Sequence, residues 1–433
     1  MIILYNLIYT VFFLAYFPFL ILRRKFHKDF LTRFGNFPAN LKSQIKAGKN
    51  LWIHAVSVGE VLVICGLITE LKKQFPRYQI VCSTVTLTGF KLAQEKLKDQ
   101  AIVIYAPLDW SWVVKKYIQL IKPEIYIAAE TEIWPGLYRS LKASRVPVAI
   151  VNGRISDTAF KGYQKIGFFI KRILADVSVF CMQTKTDAQR MIQLGADSSK
   201  VQVLGNLKFD IRPAQDLGFL ERSGFSAKHL GGPATLCGGE PEDLVVIGGS
   251  THPGEEEILL EVFSSLREKF TRLRLIIAPR HVERSSQIIQ GIESRGLEVK
   301  RFSQFLARAK NCAKTIIVVD TIGQLRSLYS LATIVFVGKT LVGRGGQNVI
   351  EPASLGKAII VGPHTENFKD VVQIFLESKA LVQVESIDEF YREVENLLQN
   401  PQRREQLGQA AKAVVEKNKG ATQRTVEILR EWL

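Results

Sequence analysis

The sequence predicts an α/β protein with two doubly wound parallel-sheet domains behind an apolar amino-terminal segment. Three observations predict it. The chain has 433 residues, which is enough for two domains with separate cores. Short apolar runs alternate with longer amphipathic stretches in two successive blocks, a pattern typical of parallel sheets covered by helices on both faces. The first 22 residues carry no charged side chain.

The amino-terminal segment predicts a membrane anchor at residues 1–22. At the rise of an α-helix this segment would be about 33 Å long, enough for a bilayer core of about 30 Å. Arg23, Arg24 and Lys25 follow directly, which favours the cytoplasmic side for the rest of the chain. A cleaved signal peptide would need basic residues before the apolar run and a small-residue cleavage site after it, and both are missing. We expect an uncleaved anchor that spans the bilayer or lies deep in its interface.

The first block of apolar runs predicts a domain at residues 23–210. Its runs lie at 51–56, 79–82, 101–105, 124–128, 146–151, 177–181 and 201–204. A stretch rich in Pro, Gly and Ser follows, and we expect a linker or insertion at 211–240. The alternation restarts in a second domain, predicted at 241–410, with runs at 244–247, 273–278, 315–319, 332–337, 358–361 and 380–384. Residues 411–433 have a helical pattern, and packing of this helix back on the first domain is one option.

The charge balance narrows the classes of partner. The chain has 58 Lys and Arg against 41 Asp and Glu, a net charge of +17. An anionic membrane surface, an acidic substrate and nucleic acid all suit such a surface, but no nucleic-acid-binding motif supports the third. The five cysteines form no CxxC pair, and the six histidines show no metal-ligand spacing. These patterns indicate a reducing compartment and no metal site.

The most informative stretch is the glycine-rich segment at residues 338–368. Gly343, Gly345 and Gly346 follow an apolar run, and a helical pattern opens near Asn348 and Glu351. Glycines let the backbone approach a phosphate closely, and a helix N-terminus offers free N–H donors to an anion. A carboxylate one turn into the helix can accept both hydroxyls of a ribose. The pattern favours a nucleotide-sugar pocket over a plain strand–helix connection whose glycines serve packing.

A second motif, HAVSVGE, follows the first apolar run of the first domain. Gly59 would allow a tight turn from strand to helix, and Glu60 would stand at the helix start. We expect the helix dipole to hold this carboxylate ionised, so that it can accept a proton from a substrate hydroxyl. The alternative is a carboxylate that only caps the helix, and this motif alone leaves the two interpretations open.

Polar residues follow several other predicted strands, where α/β proteins keep their sites. In the first domain these include Thr84, Thr86, Glu130, Glu132, Asn152, Arg154 and Lys208. In the second domain Ser250 and Thr251 could bind a phosphate through hydroxyl and N–H groups, and Arg280 with His281 ends the next strand. Any one of them is compatible with helix capping or a solvated loop, but together they predict a cleft in each domain.

Taken in order, these motifs resemble the Kdo transferases of lipopolysaccharide biosynthesis (3-deoxy-D-manno-octulosonate transferases). The matching elements are HAVSVGE, TVTLTG, ETEIWP, NGRIS, GNLKFD, GGSTHPGEEE, APRHVER, GRGGQNVIEP and GPHTENFKD. The resemblance extends over nearly the whole chain. This sequence departs from the family pattern at Gln347, where histidine is expected, and at Lys339 and Thr340, where glycine and serine are expected.

The resemblance implies a glycosyltransferase of GT-B type, with two facing Rossmann-like domains at the cytoplasmic side of the cell inner membrane. It implies CMP-Kdo as donor, a lipid A precursor as acceptor, and an inverting reaction without metal or other cofactor. Glu60 would be the general base, and Glu130 would lie near the transferred sugar. The donor residues would be Ser250, Thr251, Arg280, His281, Gly345, Gly346, Asn348 and Glu351. The acceptor or cleft residues would be Ser57, Gly59, Thr86, Arg154 and Lys208.

Two other functions fit parts of the sequence. One is a UDP-sugar-dependent glycosyltransferase of cell-envelope synthesis with the same architecture, which differs in the nucleotide that stabilises the fold. The other is a non-enzymatic membrane or nucleic-acid adaptor, which would bind nucleic acid tightly in low salt and turn over no substrate.

Overall fold

The computed structural model describes residues 2–22, 28–45, 48–210, 244–307 and 315–433. The predicted linker at 211–240 lies outside these residues, as do Cys237 and Cys312. The chain forms two compact units. The first unit comprises Met1–Asp210 and Asn418–Leu433, and the second comprises Ile211–Lys417.

The first unit alternates strands and helices. Its strands are β1 (Asn50–His54), β2 (Gln79–Thr84), β3 (Ile102–Tyr105), β4 (Pro123–Ala129), β5 (Val148–Gly153), β6 (Val179–Met182) and β7 (Val201–Val203). Its helices up to residue 210 are α1 (Ile2–Leu22), α2 (Ala39–Gln44), α3 (Val58–Gln74), α4 (Leu87–Lys96), α5 (Ser111–Ile121), α6 (Pro135–Ala143), α7 (Asp157–Lys165), α8 (Gly167–Leu174) and α9 (Lys185–Gln193). Short 3-10 turns lie at Lys28–Phe34, Ser198–Lys200 and Leu207–Phe209.

The second unit repeats the alternation. Its strands are β8 (Leu244–Thr251), β9 (Leu273–Pro279), β10 (Val299–Arg301), β11 (Ile316–Val318), β12 (Ile334–Val337), β13 (Ala358–Val361) and β14 (Val382–Gln383). Its helices are α10 (Glu255–Leu266), α11 (Ser285–Glu293), α12 (Phe302–Ala307), α13 (Leu325–Tyr329), α14 (Ile350–Ser354), α15 (Lys369–Glu377), α16 (Ile387–Gln399) and α17 (Pro401–Asn418). Short 3-10 turns lie at Val282–Arg284 and Glu366–Phe368. Helix α18 (Ala421–Leu429) and the turn Arg430–Trp432 return the chain to the first unit.

Each unit has one seven-stranded parallel sheet. The first sheet has the order β3-β2-β1-β4-β5-β6-β7, and the second has the order β10-β11-β9-β8-β12-β13-β14. In both, the strand order reverses next to the first strand, between β1 and β4 and between β8 and β12. Such a reversal opens a crevice beyond the carboxyl ends of the two strands, and open α/β sheets bind their ligands there. We call these two places the first and second switch points.

Apolar cores cover both faces of the first sheet and anchor the carboxyl-terminal helix. Trp52 and Tyr126 belong to the core on one face, and Leu67 belongs to the core on the other. Val426 and Leu429 of α18 are fully buried in the second of these cores. The second unit buries Phe336 of β12 and Phe390 of α16 against each other in its own core, with ring centroids 4.9 Å apart.

The sequence-based assignment of two parallel-sheet α/β domains is confirmed. Each of the thirteen predicted apolar runs contains a strand. The strand that the pattern missed is β10, whose three residues Val299–Arg301 include two basic side chains and are half-buried. A short strand at the edge of a sheet needs no continuous apolar run, because only part of its surface is covered.

Helix α1 packs on the first unit through polar and aromatic side chains. The Tyr5 hydroxyl donates to Asp109 Oδ2 at 2.5 Å, and the indole N–H of Trp110 donates to Thr10 Oγ1 at 2.8 Å. Its other face leaves apolar side chains exposed at Leu7, Ile8, Val11, Phe12 and Leu14. Among the described residues, no helix combines the length and apolarity needed to cross a membrane. The predicted anchor is therefore not confirmed.

Candidate active site

Glu60 lies in the first turn of α3, directly beyond β1, and only 7% of its surface is exposed. Val56 N–H donates to its Oε2 and the Ser57 hydroxyl to its Oε1, each at 2.8 Å. Burial raises the pKa of Glu60 to about 7; the two hydrogen bonds oppose this rise, and the charges of Glu132 and Glu130 add to it. The expectation that the helix start holds this carboxylate ionised is therefore wrong, because burial outweighs the helix end.

The residues around Glu60 act differently from their predicted roles. Gly59 does not have a positive φ, and a Cβ placed on it would find only Ser57 Oγ within 4 Å, at 3.9 Å. The predicted need for glycine in a tight turn is therefore wrong, and the space above the first turn of α3 is open. Thr86 caps α4 by accepting from Gly89 N–H at 3.0 Å, and its hydroxyl donates to Val56 O at 3.3 Å. Thr86 therefore supports the loop that carries Glu60.

At the carboxyl ends of β4 and β5, the backbone adopts left-handed conformations at two polar residues. Glu130 has φ +55° and Asn152 has φ +55°, the latter at an irregularity in the pairing of β5 with β6. Non-glycine residues in this region cost free energy and cluster at functional sites. Lys208 Nζ lies 3.9 Å from Glu130 Oε1, and Asn152 Oδ1 accepts from Leu207 N–H at 2.9 Å. The structure thus brings the predicted pair Glu130 and Lys208 together.

Arg154 lies on the neighbouring loop, where its N–H donates to Thr131 Oγ1 at 3.0 Å. Next to Thr131, Glu132 accepts from the indole N–H of Trp134 at 3.1 Å. Burial raises the pKa of Glu132, and the charge of Glu130 raises it further. Sequence reasoning placed Glu132 among the polar residues that follow β4. The spacing of two carboxylates in the ETEIWP motif was a signal for it.

Buried polar atoms without a hydrogen-bond partner gather at the same end of the first sheet. They are His54 Nε2, Thr84 Oγ1, Tyr126 OH and Asn152 Nδ2, on strands β1, β2, β4 and β5. Unpaired buried polar groups are rare in folded proteins and mark places where a ligand or water completes the bonding. Three of these residues begin the motifs HAVSVGE, TVTLTG and NGRIS. Sequence reasoning missed Tyr126, because it lies inside an apolar run and belongs to no motif.

At the second switch point, Ser250 and Thr251 occupy different environments. Ser250 has φ +56° and lies at an irregularity in the pairing of β8 with β9. Thr251 is fully buried, and its hydroxyl donates at 2.9 Å to Glu256, which is paired with Arg284 at 2.8 Å. This bond corrects the expectation that the Thr251 hydroxyl binds a phosphate. The Thr251 hydroxyl supports the loop, and the phosphate contact of Ser250 stays a prediction.

Basic side chains converge at the ends of β8, β9 and β12. The rings of His252 and His281 lie 5.9 Å apart, and Arg280 N–H donates to Thr251 O at 3.0 Å. Burial lowers the pKa of His252, and the nearby charges of Lys339, His281 and Arg280 lower it further against the opposing charge of Glu256. His252 and Lys339 were not predicted as site residues. His252 lies within the GGSTHPGEEE motif, and Lys339 lies within the glycine-rich segment at residues 338–368.

The backbone of the glycine-rich loop adopts conformations that favour glycine. Gly345 and Gly346 have φ of +123° and +75°, and a Cβ on Gly346 would lie 3.2 Å from Thr365 Cα. Gly346 N–H donates to Lys339 O at 2.8 Å, and Asn367 N–H donates to Gly345 O at 2.8 Å. Side chains larger than hydrogen would strain both positions, so the loop depends on these two glycines.

The helix after this loop is short and begins where the sequence predicts a helical segment, near Asn348 and Glu351. Helix α14 has only five residues, and the N–H of Ile350, its first residue, already donates to Asn348 Oδ1 at 3.0 Å. One N–H group of this helix start is therefore already satisfied within the protein, and the helix N-terminal anion site stays a prediction. Asn348 Nδ2 donates to Glu351 Oε1 at 3.2 Å, which places these two predicted residues side by side. Burial raises the pKa of Glu351, while the charges of Arg326 and Arg280 and the Asn348 hydrogen bond oppose the rise.

The two switch points offer complementary chemistry. The first holds a carboxyl group that exchanges a proton near neutral pH, and the second holds a cluster of cations suited to an anionic ligand. Throughout the described ranges, no group of three or more His, Cys, Asp or Glu side chains is arranged to hold a metal ion.

Comparison with known proteins agrees with this division. Residues 28–211 match the family model "3-Deoxy-D-manno-octulosonic-acid transferase (kdotransferase)", and residues 241–414 match "Glycosyl transferases group 1". The chain is 30% identical over 390 residues to the 3-deoxy-D-manno-octulosonic acid transferase of Haemophilus influenzae, which covers 89% of this chain and 87% of that protein. The chain belongs to the Kdo transferase family. The resemblance inferred from the motifs is thereby confirmed.

Two further similarities concern length and fold. A bifunctional glycosyltransferase/methyltransferase of Fusobacterium nucleatum is 34% identical to this chain over 384 residues. The aligned region covers 87% of this chain but 57% of that protein. The chain thus spans little more than half of that relative. The structure of a UDP-GlcNAc 2-epimerase from Neisseria meningitidis bound to UDP-GlcNAc is 14% identical, with a TM-score of 0.60, and covers 89% of this chain and 100% of its own. That likeness concerns the fold alone, which is of the GT-B-like kind.

Proposed function

We propose that this protein transfers Kdo from CMP-Kdo to a lipid A precursor in lipopolysaccharide inner-core biosynthesis. Membership of the Kdo transferase family supports the reaction. The observation that carries the mechanism is the buried carboxyl group of Glu60, whose pKa of about 7 suits a general base at neutral pH.

In this mechanism the acceptor hydroxyl loses its proton to Glu60 as its oxygen attacks the anomeric carbon of Kdo. The bond between that carbon and the phosphate oxygen breaks, CMP leaves with the electron pair, and the configuration inverts. The hydrogen bonds from Val56 N–H and the Ser57 hydroxyl orient the carboxylate. Proton transfer of this kind supplies about 10²- to 10⁴-fold in rate.

We assign donor binding to the second unit. Arg280, His281 and Ser250 lie near the second switch point, and cations there suit the phosphate of a nucleotide sugar. Glu351, steadied by Asn348, suits the ribose hydroxyls, because a carboxylate accepts two hydroxyl hydrogen bonds at once. A donor with a single phosphate presents little charge, so the side-chain cations can replace a divalent metal.

We assign acceptor binding to the first unit. Lys208 lies beside Glu130 and, with Arg154 on the neighbouring loop, provides positive charge for a phosphorylated lipid acceptor. Glu130, next to Lys208, is the proposed contact for the transferred sugar. The open space above Gly59 gives the acceptor hydroxyl a route to Glu60.

We further propose that α1 attaches the protein to the cytoplasmic face of the cell inner membrane. Its outward side chains are apolar and exposed, with Leu7 at 62% and Leu14 at 63%. Phe168, on α8, is also exposed, and Arg172 lies over its ring at 4.4 Å. Apolar side chains flanked by basic ones suit the interface of an anionic membrane. Leu7→Asp with Phe12→Asp should abolish flotation with anionic vesicles, and undiminished flotation would refute this attachment.

The function is tested by incubating the protein with CMP-Kdo and tetraacyl lipid A precursor in the presence of EDTA. We expect mass spectrometry to show a product heavier by one or more Kdo residues. No product without added metal, but product with Mg²⁺, would refute the metal-independent mechanism. Thermal stabilisation by UDP-sugars and not by CMP would favour the alternative UDP-sugar enzyme.

A further inference from the structure

Left-handed backbone at non-glycine residues separates into two groups in the described chain. Three residues follow helix ends, where this conformation is an ordinary way to stop a helix: Lys122, Arg145 and Lys379. Four others lie at the carboxyl ends of strands: Glu130, Asn152, Ser250 and Lys339. Asparagine tolerates this region, but lysine has no such tendency. Lys339, with φ +60°, therefore requires an explanation.

The backbone of Lys339 is fixed from both sides. Its N–H donates to Glu255 Oε2 at 2.7 Å, and its carbonyl accepts from Gly346 N–H at 2.8 Å. Glu255 is fully buried and also accepts from Thr340 N–H at 3.0 Å and Leu341 N–H at 3.1 Å. These bonds impose the left-handed conformation, in which glycine would fit without strain. The position thus keeps a lysine at a cost in stability.

The side chain of Lys339 lies along the glycine-rich loop. A Cβ on Gly343 would lie 3.2 Å from Lys339 Cγ, and one on Gly345 would lie 3.4 Å from Lys339 Cε. The loop thus leaves room for the lysine stem. A Cβ on Gly343 would also lie 3.7 Å from His252 Cβ, so the loop brings the lysine and this histidine to the same place. The ammonium group therefore belongs to the basic cluster at the second switch point.

We propose that Lys339 is a donor-binding residue whose ammonium group contacts the phosphate of the cytidine nucleotide. The inference rests on the proposed function and adds a residue to it. The phosphate carries one negative charge in the sugar ester and gains another when CMP leaves. A cation at this place therefore favours binding of CMP over binding of cytidine. The carboxylate of the sugar is the other anion that an ammonium group at this place could contact.

The test compares Lys339→Gly with Lys379→Gly. Lys379 lies in the same unit, is exposed, and has φ +49° after α15, so both changes relieve left-handed strain, but only one removes a cation of the cluster. Lys339→Arg serves as a second variant that keeps the charge. Binding of CMP, cytidine and CMP-Kdo is measured by calorimetry on the full chain, together with the thermal midpoint.

We expect Lys339→Gly to unfold no earlier than the parent and to bind CMP about 10- to 100-fold more weakly, with cytidine binding unchanged. Lys379→Gly should bind all three ligands like the parent, and Lys339→Arg should keep most of the CMP affinity. Equal loss of CMP and cytidine, or unchanged CMP binding, would overturn the proposal. Loss confined to CMP-Kdo would overturn it in favour of the sugar carboxylate. The parent protein is also titrated with UDP, and binding of UDP without binding of CMP would instead refute the donor assignment itself.

Discussion

The two units are built on similar seven-stranded parallel sheets but carry opposite charge at the equivalent place. Both reverse their strand order next to their first strand, and both place polar side chains beyond that reversal. In the first unit these side chains include the carboxylates Glu60 and Glu130. In the second unit they include His252, Lys339 and Arg280. The difference lies in the loops and first helical turns, while the sheets beneath them are alike.

This contrast shows how one architecture supports two tasks. In each unit burial opposes the charged form of a central group, raising the pKa of Glu60 and lowering that of His252. Neighbours of like charge act in the same direction as burial in both cases. The first unit thereby gains a group ready to take a proton. In the second unit His252 is held in its neutral form, and Lys339 and Arg280 supply the positive charge that an anion satisfies. Function follows from these side chains and not from the fold that they share.

Removing the charge of Glu60 should have the largest effect, a loss of turnover. Glu60→Gln keeps the shape, and the amide can still accept from Val56 N–H, but it cannot take a proton. We expect turnover to fall about 10²- to 10⁴-fold, with CMP-Kdo affinity unchanged, because the donor is assigned to the other unit. Steady-state kinetics and calorimetry measure the two quantities. Glu70→Gln, on the same helix, is the control and should keep the parent rate. Near-parent turnover in Glu60→Gln would remove it as the base.

In the second unit, removal of a charge should weaken donor binding and change turnover much less. Glu351→Gln removes the charge that strengthens hydrogen bonds to ribose hydroxyls, and we expect donor affinity to weaken by about 1.5–3 kcal/mol, or about 10- to 150-fold. Turnover at saturating donor should change much less. Titration with CMP-Kdo measures the effect, and Glu377→Gln at the exposed end of α15 is the matched control. Unchanged donor affinity would leave Glu351 a structural role beside Asn348.

The sequence was sufficient for the sheets, because strands buried on both faces read as continuous apolar runs. It was also sufficient for the places of Glu60 and Glu351, because each follows such a run within a polar motif. It was not sufficient to predict the pKa values of these two carboxyl groups. The pKa of Glu60 depends on burial and on Glu132, which lies beyond a different strand.

Glu255 illustrates the same limit in the second unit. Its sequence context indicates an ordinary acidic helix start. In the fold its carboxylate instead accepts backbone hydrogen bonds from His252, Lys339, Thr340 and Leu341. Those residues include a segment more than 80 positions away along the chain. Only tertiary structure brings the two segments together, so no local pattern could have predicted the fixed conformation of Lys339.

The pH dependence of catalysis sharpens the comparison. A general base must be deprotonated to act, so the rate should fall as pH drops below its pKa. With the pKa of Glu60 raised to about 7, we expect kcat/KM to reach a plateau above that pH. One pH unit below the midpoint it should be about tenfold lower. A profile measured between about pH 5 and pH 9 locates this limb. A flat profile down to pH 5 would contradict the raised pKa.

The smallest expected effect concerns the neighbours of Glu60. The charges of Glu132 and Glu130 both raise its pKa, and that of Glu132 contributes more. Glu132→Gln should therefore move the acid limb of kcat/KM to lower pH by a fraction of a unit, and Glu130→Gln should move it less. The amide at position 132 can still accept from the Trp134 indole N–H, so the local geometry should persist.

The midpoint of the limb, and not its height, is the quantity to compare, because Glu130→Gln is also expected to slow turnover. Glu124→Gln, at the opposite end of β4, is the control and should leave the midpoint in place, since charge interactions weaken with distance and screening. If Glu132→Gln left the limb where it is, burial alone would account for the raised pKa. The like charges at the first switch point would then contribute nothing to the pKa of the base. The parallel between the two units, in which neighbours of like charge shift a pKa in the same direction as burial, would then not hold for the first unit.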